Sequence, residues 1–267
     1  MCSDGAGGAG ASRANRGRAA RRGAPDPARQ ALGADGSRAG GRDHGGSDDP
    51  AAPACPAAGS AGTPNFARRF WDAAYASDED LEHWHRDPPD EALARLVANG
   101  LLRDGGARML DVGCGTGAEA RWLARRGHAV VALDLSLEAL ARGSSARDGA
   151  RGGRWLPVVG TAFELPLGDD AVDWVLDAGC LHSIGRSSRV RYARELARVA
   201  SPGARLLIRG ARADCAEEGV SSVDAVECRR WLAPGFEVEW TMPIELPAAS
   251  GALDGVAVLL RRTRSDR

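Results

Sequence analysis

The sequence contains no lysine: in 267 residues the 35 basic side chains are all arginine, set against 36 acids, for a formal net charge of −1. Without lysine there is no Schiff-base amine and no phosphate-loop lysine, so two large groups of enzymes drop out. A charge this close to zero provides no global field to draw in nucleic acid or an anionic membrane, and neither is expected as a partner. No apolar run approaches the ~20 residues that span a bilayer, and no secretory signal pattern is present. The six cysteines (Cys2, Cys55, Cys114, Cys180, Cys215 and Cys228) form no CxxC pair and no short-spaced metal framework. They read as reduced thiols of a cytoplasmic protein, and no metal is expected.

Residues 1–64 lack Val, Ile, Phe, Trp and Tyr altogether but hold 14 Gly. Such a stretch cannot bury enough apolar surface to offset its ordering entropy, and we expect it to be disordered. Its eight Arg face six Asp, a balance that argues against a nucleic-acid arm, and an acid content that argues against a transit peptide.

What is present begins near residue 65 with a cluster of aromatics: Phe66, Phe70, Trp71, Tyr75 and Trp84. Leu93, Leu96, Val97 and Leu101 then recur at helical spacing behind Pro88 and Pro89. From residue 105 the pattern alternates. "ARMLDVG" reads as a short buried strand, "TGAEARWLARRG" as a helix stopped by Gly127, and "HAVVALDL" as a second strand. Ser136 can cap the helix that follows. "RWLPVVG" and "AVDWVLDAG" read as strands three and four. "SSRVRYARELARVASPG" is a helix with Val190, Ala193, Leu196, Ala197 and Ala200 on one stripe, and "ARLLIRG" is strand five. Strands alternating with helices imply a parallel sheet with both faces covered. At the end, "FEVEWTMPI" and "LDGVAVLLRR" have no helix between them and should pair antiparallel. The expected domain therefore runs over 65–267, with a helical cover at 65–104 and a core at 105–262.

Between the first strand and the first core helix stand Gly113, Gly115 and Gly117, in "MLDVGCGTGAEA". Such turns let a ligand approach backbone that a Cβ would block, at the carboxyl end of the strand. Asp134 ends the second strand, where a carboxylate can accept from both hydroxyls of a ribose. Nicotinamide-dinucleotide enzymes share that feature, but their turn reads G-x-G-x-x-G, whereas this one reads G-C-G-T-G.

"LDVGCGTG" followed by "VVALDLS" resembles the first two motifs of the class I S-adenosylmethionine-dependent methyltransferases. "FELPLGDDAVDWVLDAGCLHSI" and "ELARVASPGARLLI" resemble their later ones, so the likeness runs over about residues 105–262. "FWDAAYASDEDLEHWH" and "DAGCLHSI" resemble, more narrowly, the thiopurine/tellurite-type small-molecule branch. The resemblance implies an α/β, Rossmann-like, doubly wound and mostly parallel seven-stranded sheet ending in an antiparallel hairpin. It also implies S-adenosyl-L-methionine as cofactor and direct in-line methyl transfer to a small-molecule acceptor. Gly113, Cys114, Gly115, Thr116 and Gly117 would line the methionine part, with Asp111 orienting its ammonium. Asp134 would take the ribose, with Leu135 beside the adenine. Where that family commonly has an acid facing the adenine amine, this chain has Thr161, so recognition would fall to its hydroxyl and to the backbone of Ala162 and Phe163. Asp177, Ala178 and Gly179 would lie near the transferring methyl.

Several positions keep two readings each. Asp177 is either part of the site or a cap for the next segment. His182, five residues further on, is either a general base or a ring packed in the turn. Tyr75 and Trp84 are either lids or core, and His83 with His85 either a metal pair or solvated side chains. Cys180, with Cys114, Cys215 or Cys228, offers a soft-ion site or only packing. Arg121, Arg125 and Arg126 read as a solvated helix face. Two other functions fit part of the pattern: an NAD(P)-dependent oxidoreductase, and a non-catalytic S-adenosylmethionine-binding module, the latter motivated by Thr161.

Overall fold

A computed structural model describes residues 64–78, 88–144, 153–215, 219–233, 235–248 and 251–263, all within the unit Asp49–Arg267. Residues 1–63 of the expected tail, and His83, Trp84 and His85, lie outside the described residues.

Among the described residues seven strands are formed: β1 (Arg108–Val112), β2 (Ala129–Asp134), β3 (Arg154–Val159), β4 (Val172–Ala178), β5 (Ala200–Ala211), β6 (Phe236–Ala248) and β7 (Gly251–Arg262). They make one sheet in the order β3-β2-β1-β4-β5-β7-β6. β1 to β5 run parallel, while β7 pairs antiparallel with both β5 and β6. The expected mostly parallel sheet with a terminal hairpin is thus observed. The strand order reverses between β1 and β4, and in such sheets the crevice beyond the carboxyl ends at the reversal is where ligands bind.

The helices are α1 (Pro64–Ala76), α2 (Glu91–Ala98), α3 (Ala118–Arg125), α4 (Leu137–Ser144), α5 (Cys180–Ser183), α6 (Arg189–Val199) and α7 (Ala225–Leu232). Alternate strand residues face opposite sides, and two cores result. Met109, Val130, Leu176, Leu207 and Leu259 pack with Leu93 and Leu96 of α2 and Leu123 of α3. Leu110, Leu133, Val175, Ile208 and Val258 pack with Leu196 of α6 and with Cys228 and Leu232 of α7. Local signals hold the helix starts. Asp90 accepts from the Leu93 N–H at 2.8 Å, and Ser136 Oγ accepts from the Ala139 N–H at 3.1 Å.

Four details differ from the sequence reading. The buried stripe of α6 is Arg189, Tyr192, Ala193, Leu196 and Val199, while Val190 is 43% exposed. Arg189 turns inward because its guanidinium finds acceptors there: the carbonyls of Ile184, Leu181, Ser221 and Ser222, Ser221 Oγ, and Glu227. β5 starts pairing already at Ala200, and the register then shifts before Arg205 joins Trp174. The terminal strands are also longer than expected, pairing out to Ala248 and Gly251. β3 is an edge rather than a covered strand, with Leu156 59% exposed. Pro157, which has no N–H to donate, is tolerated on such an edge.

Candidate active site

β1 delivers its end to the crevice, and the chain then turns through Gly113, Gly115 and Gly117, with φ of +68°, +55° and +72°. Those left-handed values favour glycine. The turn is fastened to β2: the N–H groups of Gly113 and Cys114 both donate to the Leu133 carbonyl, at 2.8 and 3.0 Å. Asp134, 6% exposed, spreads its two oxygens. Oδ2 accepts from the Gly115 N–H at 2.7 Å and Oδ1 from the Ser136 N–H at 2.8 Å. A carboxylate has about four lone-pair sites, which leaves room to accept from a ribose hydroxyl besides these N–H groups. Burial raises this carboxyl above its ordinary range, and those N–H groups oppose the rise.

The glycines are also required by what closes over them. A Cβ on Gly113 would stand 2.8 Å from Cys180 Cβ, one on Gly115 2.7 Å from the Tyr75 hydroxyl, and one on Gly117 2.9 Å from the Trp155 ring. Tyr75 arrives on α1. That helix is pinned to α4 through Asp72, whose carboxylate accepts from Ser136 Oγ at 2.7 Å and from the Glu138 N–H at 3.4 Å. Arg142 adds bonds to Asp78 Oδ1 and to the Ala76 carbonyl, at 2.6 and 2.7 Å. Burial, together with Asp134, Cys114, Asp111 and Cys180 nearby, pushes the Tyr75 phenol well above its ordinary value. It stays a neutral hydroxyl. Of its two readings, the structure gives the one in which it covers the turn.

Asp111 is 2% exposed, and its Oδ2 is buried without a hydrogen-bond partner. Leaving a buried carboxylate oxygen unpaired costs on the order of 1–3 kcal/mol. A bound cationic group would meet that need, so the residues at this turn fit an amino-acid-bearing nucleoside cofactor. Sequence reasoning missed the nearby Arg209 of β5, although a charged residue inside the apolar run "LLIRGA" was a visible signal. It missed Arg121 as well. That side chain lies over the Trp155 ring at 5.5 Å and donates to the carbonyls of Thr116 and of Gly143. Arg121 therefore fastens the turn rather than facing solvent. Arg126 pairs with Asp104 and stacks on Trp122.

Other expected positions fall further out. Thr161 spends its hydroxyl accepting from the Phe163 N–H at 3.3 Å, while the Gly160 N–H donates to the Asp134 carbonyl at 2.8 Å. This keeps Thr161, Ala162 and Phe163 beside the end of β2, and Leu135 is half-buried there. Ala178 is exposed and Gly179 half-buried at the end of β4.

Asp177 and His182 need correction as catalytic candidates. The register pairs Asp111 with Leu176 and Val112 with Asp177, so the two carboxylates point to opposite faces of the sheet. Fully buried, Asp177 accepts from the N–H groups of Cys180 and Leu181 at 2.8 and 3.1 Å and from the Tyr192 hydroxyl at 2.6 Å. It holds the first N–H groups of α5, which follows the N-cap Gly179, with its carboxyl raised by burial to about 6. His182 Nδ1 accepts from the Ala211 N–H at 3.2 Å. Burial and the Arg189 charge hold the ring down to about 4. It is neutral at pH 7, with its one free lone pair already engaged. That is the ring packed in the turn, and it leaves no nitrogen to take a proton from an acceptor.

The thiols of Cys114 and Cys180 are both raised well above their ordinary value by burial and neighbouring carboxyl groups. Cys228 Sγ lies 3.1 Å from the Val223 carbonyl oxygen as its donor. Among the described residues no cluster of His, Cys, Asp and Glu could hold a metal ion.

Residues 110–208 match the family model described as a methyltransferase domain. Over 127 residues the chain is 29% identical to a 2-heptyl-1-hydroxyquinolin-4(1H)-one methyltransferase of Mycobacteroides abscessus, covering 47% of this chain and 54% of that protein. Over 116 residues it is 35% identical to a demethylmenaquinone methyltransferase of Mycobacterium tuberculosis, covering 43% and 45%. The chain thus spans about half the length of the curated relatives it matches. A solved structure from work on conversion of a disulfide bond into a thioacetal group during echinomycin biosynthesis is 27% identical. It superposes with a TM-score of 0.59 over 74% of this chain and 93% of the other. None of these likenesses favours the oxidoreductase or the non-catalytic module.

Proposed function

We propose that the chain is a class I S-adenosylmethionine-dependent methyltransferase and that it transfers a methyl group to a small-molecule acceptor by direct in-line displacement. The observation that carries this reading is the left-handed glycine turn held between Asp134 and the unpartnered oxygen of Asp111. The bound cofactor supplies an electrophilic methyl on a sulfonium. The chain's own residues bind and orient. Gly113, Cys114, Gly115, Thr116 and Gly117 present backbone to the methionine portion, Asp111 takes the ammonium and Asp134 the ribose diol. Leu135, Thr161, Ala162 and Phe163 border the adenine, and Ala178 and Gly179 border the acceptor side. Tyr75 and Trp155 exclude water from the turn, which favours alignment of the reacting groups over hydrolysis.

Direct displacement is supported by the state of the nearby nucleophiles. A covalent detour would need a thiolate, and burial keeps Cys114 and Cys180 as thiols. The unpaired cysteines Cys114, Cys180, Cys215 and Cys228 also agree with a reducing compartment such as the cytoplasm. Among the described residues no helix is long and apolar enough to cross a membrane.

The test is transfer of label from methyl-labelled S-adenosylmethionine by the full chain across a panel of small acceptors. Thiols, selenols and metalloid oxyanions come first, on the strength of the strings at 70–85 and 177–184. Label in a small molecule, lost in Asp134→Ala, is expected. Label found only in protein or nucleic acid would overturn the small-molecule reading.

A further inference from the structure

The turn lies next to a group of carboxylates that share a single guanidinium. Arg209, 2% exposed, grips Glu119 of α3 through both terminal nitrogens, with Nη2 2.6 Å from Oε2. Its Nη1 also donates to Asp90 Oδ2, at the start of α2, at 2.6 Å. Both terminal nitrogens are thereby turned to Glu119 and Asp90, while the buried Nε has no partner. Asp111, on the same face of the sheet, receives no hydrogen bond from Arg209, and its Oδ2 has no partner at all. The other charged or titratable groups facing Asp111 are Asp134 of β2, Tyr75 of α1, Cys114 of the turn and Cys180 after β4. Tyr75, Cys114 and Cys180 are neutral, so Arg209 is the one cation among these groups.

We propose that the cradle holds a proton on Asp111, the carboxylate to which Arg209 offers neither terminal nitrogen, and that it gives this proton up when the ammonium of the cofactor's amino-acid moiety binds. Glu119 and Arg209 are then positioning residues: they set the charge that Asp111 can carry before the cofactor arrives. The geometry accounts for the electrostatics. Burial and the nearby Glu119 push the Asp111 carboxyl well above the ordinary range, against the pull of Arg209 and of the Ala120 N–H. A cation placed at the open oxygen favours the carboxylate, so binding and ionisation are linked. The sign follows: affinity rises with pH, by up to about tenfold per unit where a whole proton leaves.

This inference rests on the methyltransferase reading, and one experiment separates their failures. S-adenosylhomocysteine is titrated calorimetrically into the full chain at pH 7 in two buffers of different ionisation enthalpy. The same titration is repeated with 5′-methylthioadenosine, which carries the nucleoside and thioether without the amino acid. We expect a buffer-dependent enthalpy for S-adenosylhomocysteine that reports release of a large part of one proton, and none for 5′-methylthioadenosine. Asp111→Asn abolishes the release. Glu119→Gln, which removes a negative neighbour, reduces it. The cofactor's own amino group is common to all the proteins, so a change between variants belongs to the chain. Binding with no buffer dependence, or release that survives Asp111→Asn, overturns the proton assignment and leaves the methyltransferase reading standing. Failure of the folded chain to bind S-adenosylhomocysteine overturns both.

Discussion

Gly115 is the residue where backbone and cover meet most closely. Its left-handed φ and the 2.7 Å approach of the Tyr75 hydroxyl to a notional Cβ make even alanine costly there. The left-handed conformation alone costs ~1–2 kcal/mol for a residue with a Cβ. Gly115→Ala should lower the melting temperature by a few degrees, ~2–4 °C per kcal/mol for a domain of this size. Combining it with Tyr75→Phe, which removes the nearest atom, should restore part of the loss in the same thermal melt. No restoration would mean that the cover does not press on the turn. At this scale the sequence displayed the glycines, Asp111 and Asp134 because their spacing is local. It could not distinguish the two uses of Asp177 and His182. Those are decided by sheet register and by an amide 29 residues from His182, neither of which is written in a neighbouring residue. Arg121 looked like one of three surface arginines because its partners, Thr116, Gly143 and Trp155, are gathered only by the fold.

Among elements, α1 is the one that carries Tyr75 over the turn. Asp72 ties it to the cap and first turn of α4, and Arg142 of α4 bonds the Ala76 carbonyl. Asp72→Ala should raise amide exchange along α1, weaken S-adenosylhomocysteine binding by about the tenfold that 1.4 kcal/mol represents, and leave exchange in β1, β4 and β5 unchanged. Exchange rising uniformly across the sheet would instead place α1 in the folding core. The alternation of strands and helices was legible because parallel strands covered on both sides read as continuous apolar runs, and the hairpin because its strict alternation has a period of two. The α6 stripe was misread by one position. An arginine at 189 reads as surface until the acceptors that bury it, supplied from 181–184 and 219–227, are brought beside it.

For the whole molecule, acid is the revealing variable. His182 folds with a value near 4 against an ordinary 6.5, so the folded state binds fewer protons than the unfolded one. Its stabilising contribution is present above about 6.5 and is lost as pH falls towards 4, by up to about 3 kcal/mol. His128, buried with both ring nitrogens unpartnered, is lowered too and acts in the same direction. Asp177 acts oppositely: raised to about 6 from 3.8, it favours the folded state at low pH and loses that contribution as pH rises through 6. The histidine term is isolated by comparing denaturant unfolding of the wild type with His182→Asn, which keeps an acceptor for the Ala211 N–H but does not titrate. The wild type should lose more stability between pH 6.5 and 4 than the variant; equal slopes would mean that the ring is not buried as described. The central claim concerns the cofactor, and its most direct test is calorimetric binding of S-adenosylhomocysteine to the full chain, with Asp134→Ala alongside. The account predicts dissociation in the micromolar range, weakened at least about tenfold in the variant. A cooperatively folded wild type that binds nothing would contradict it.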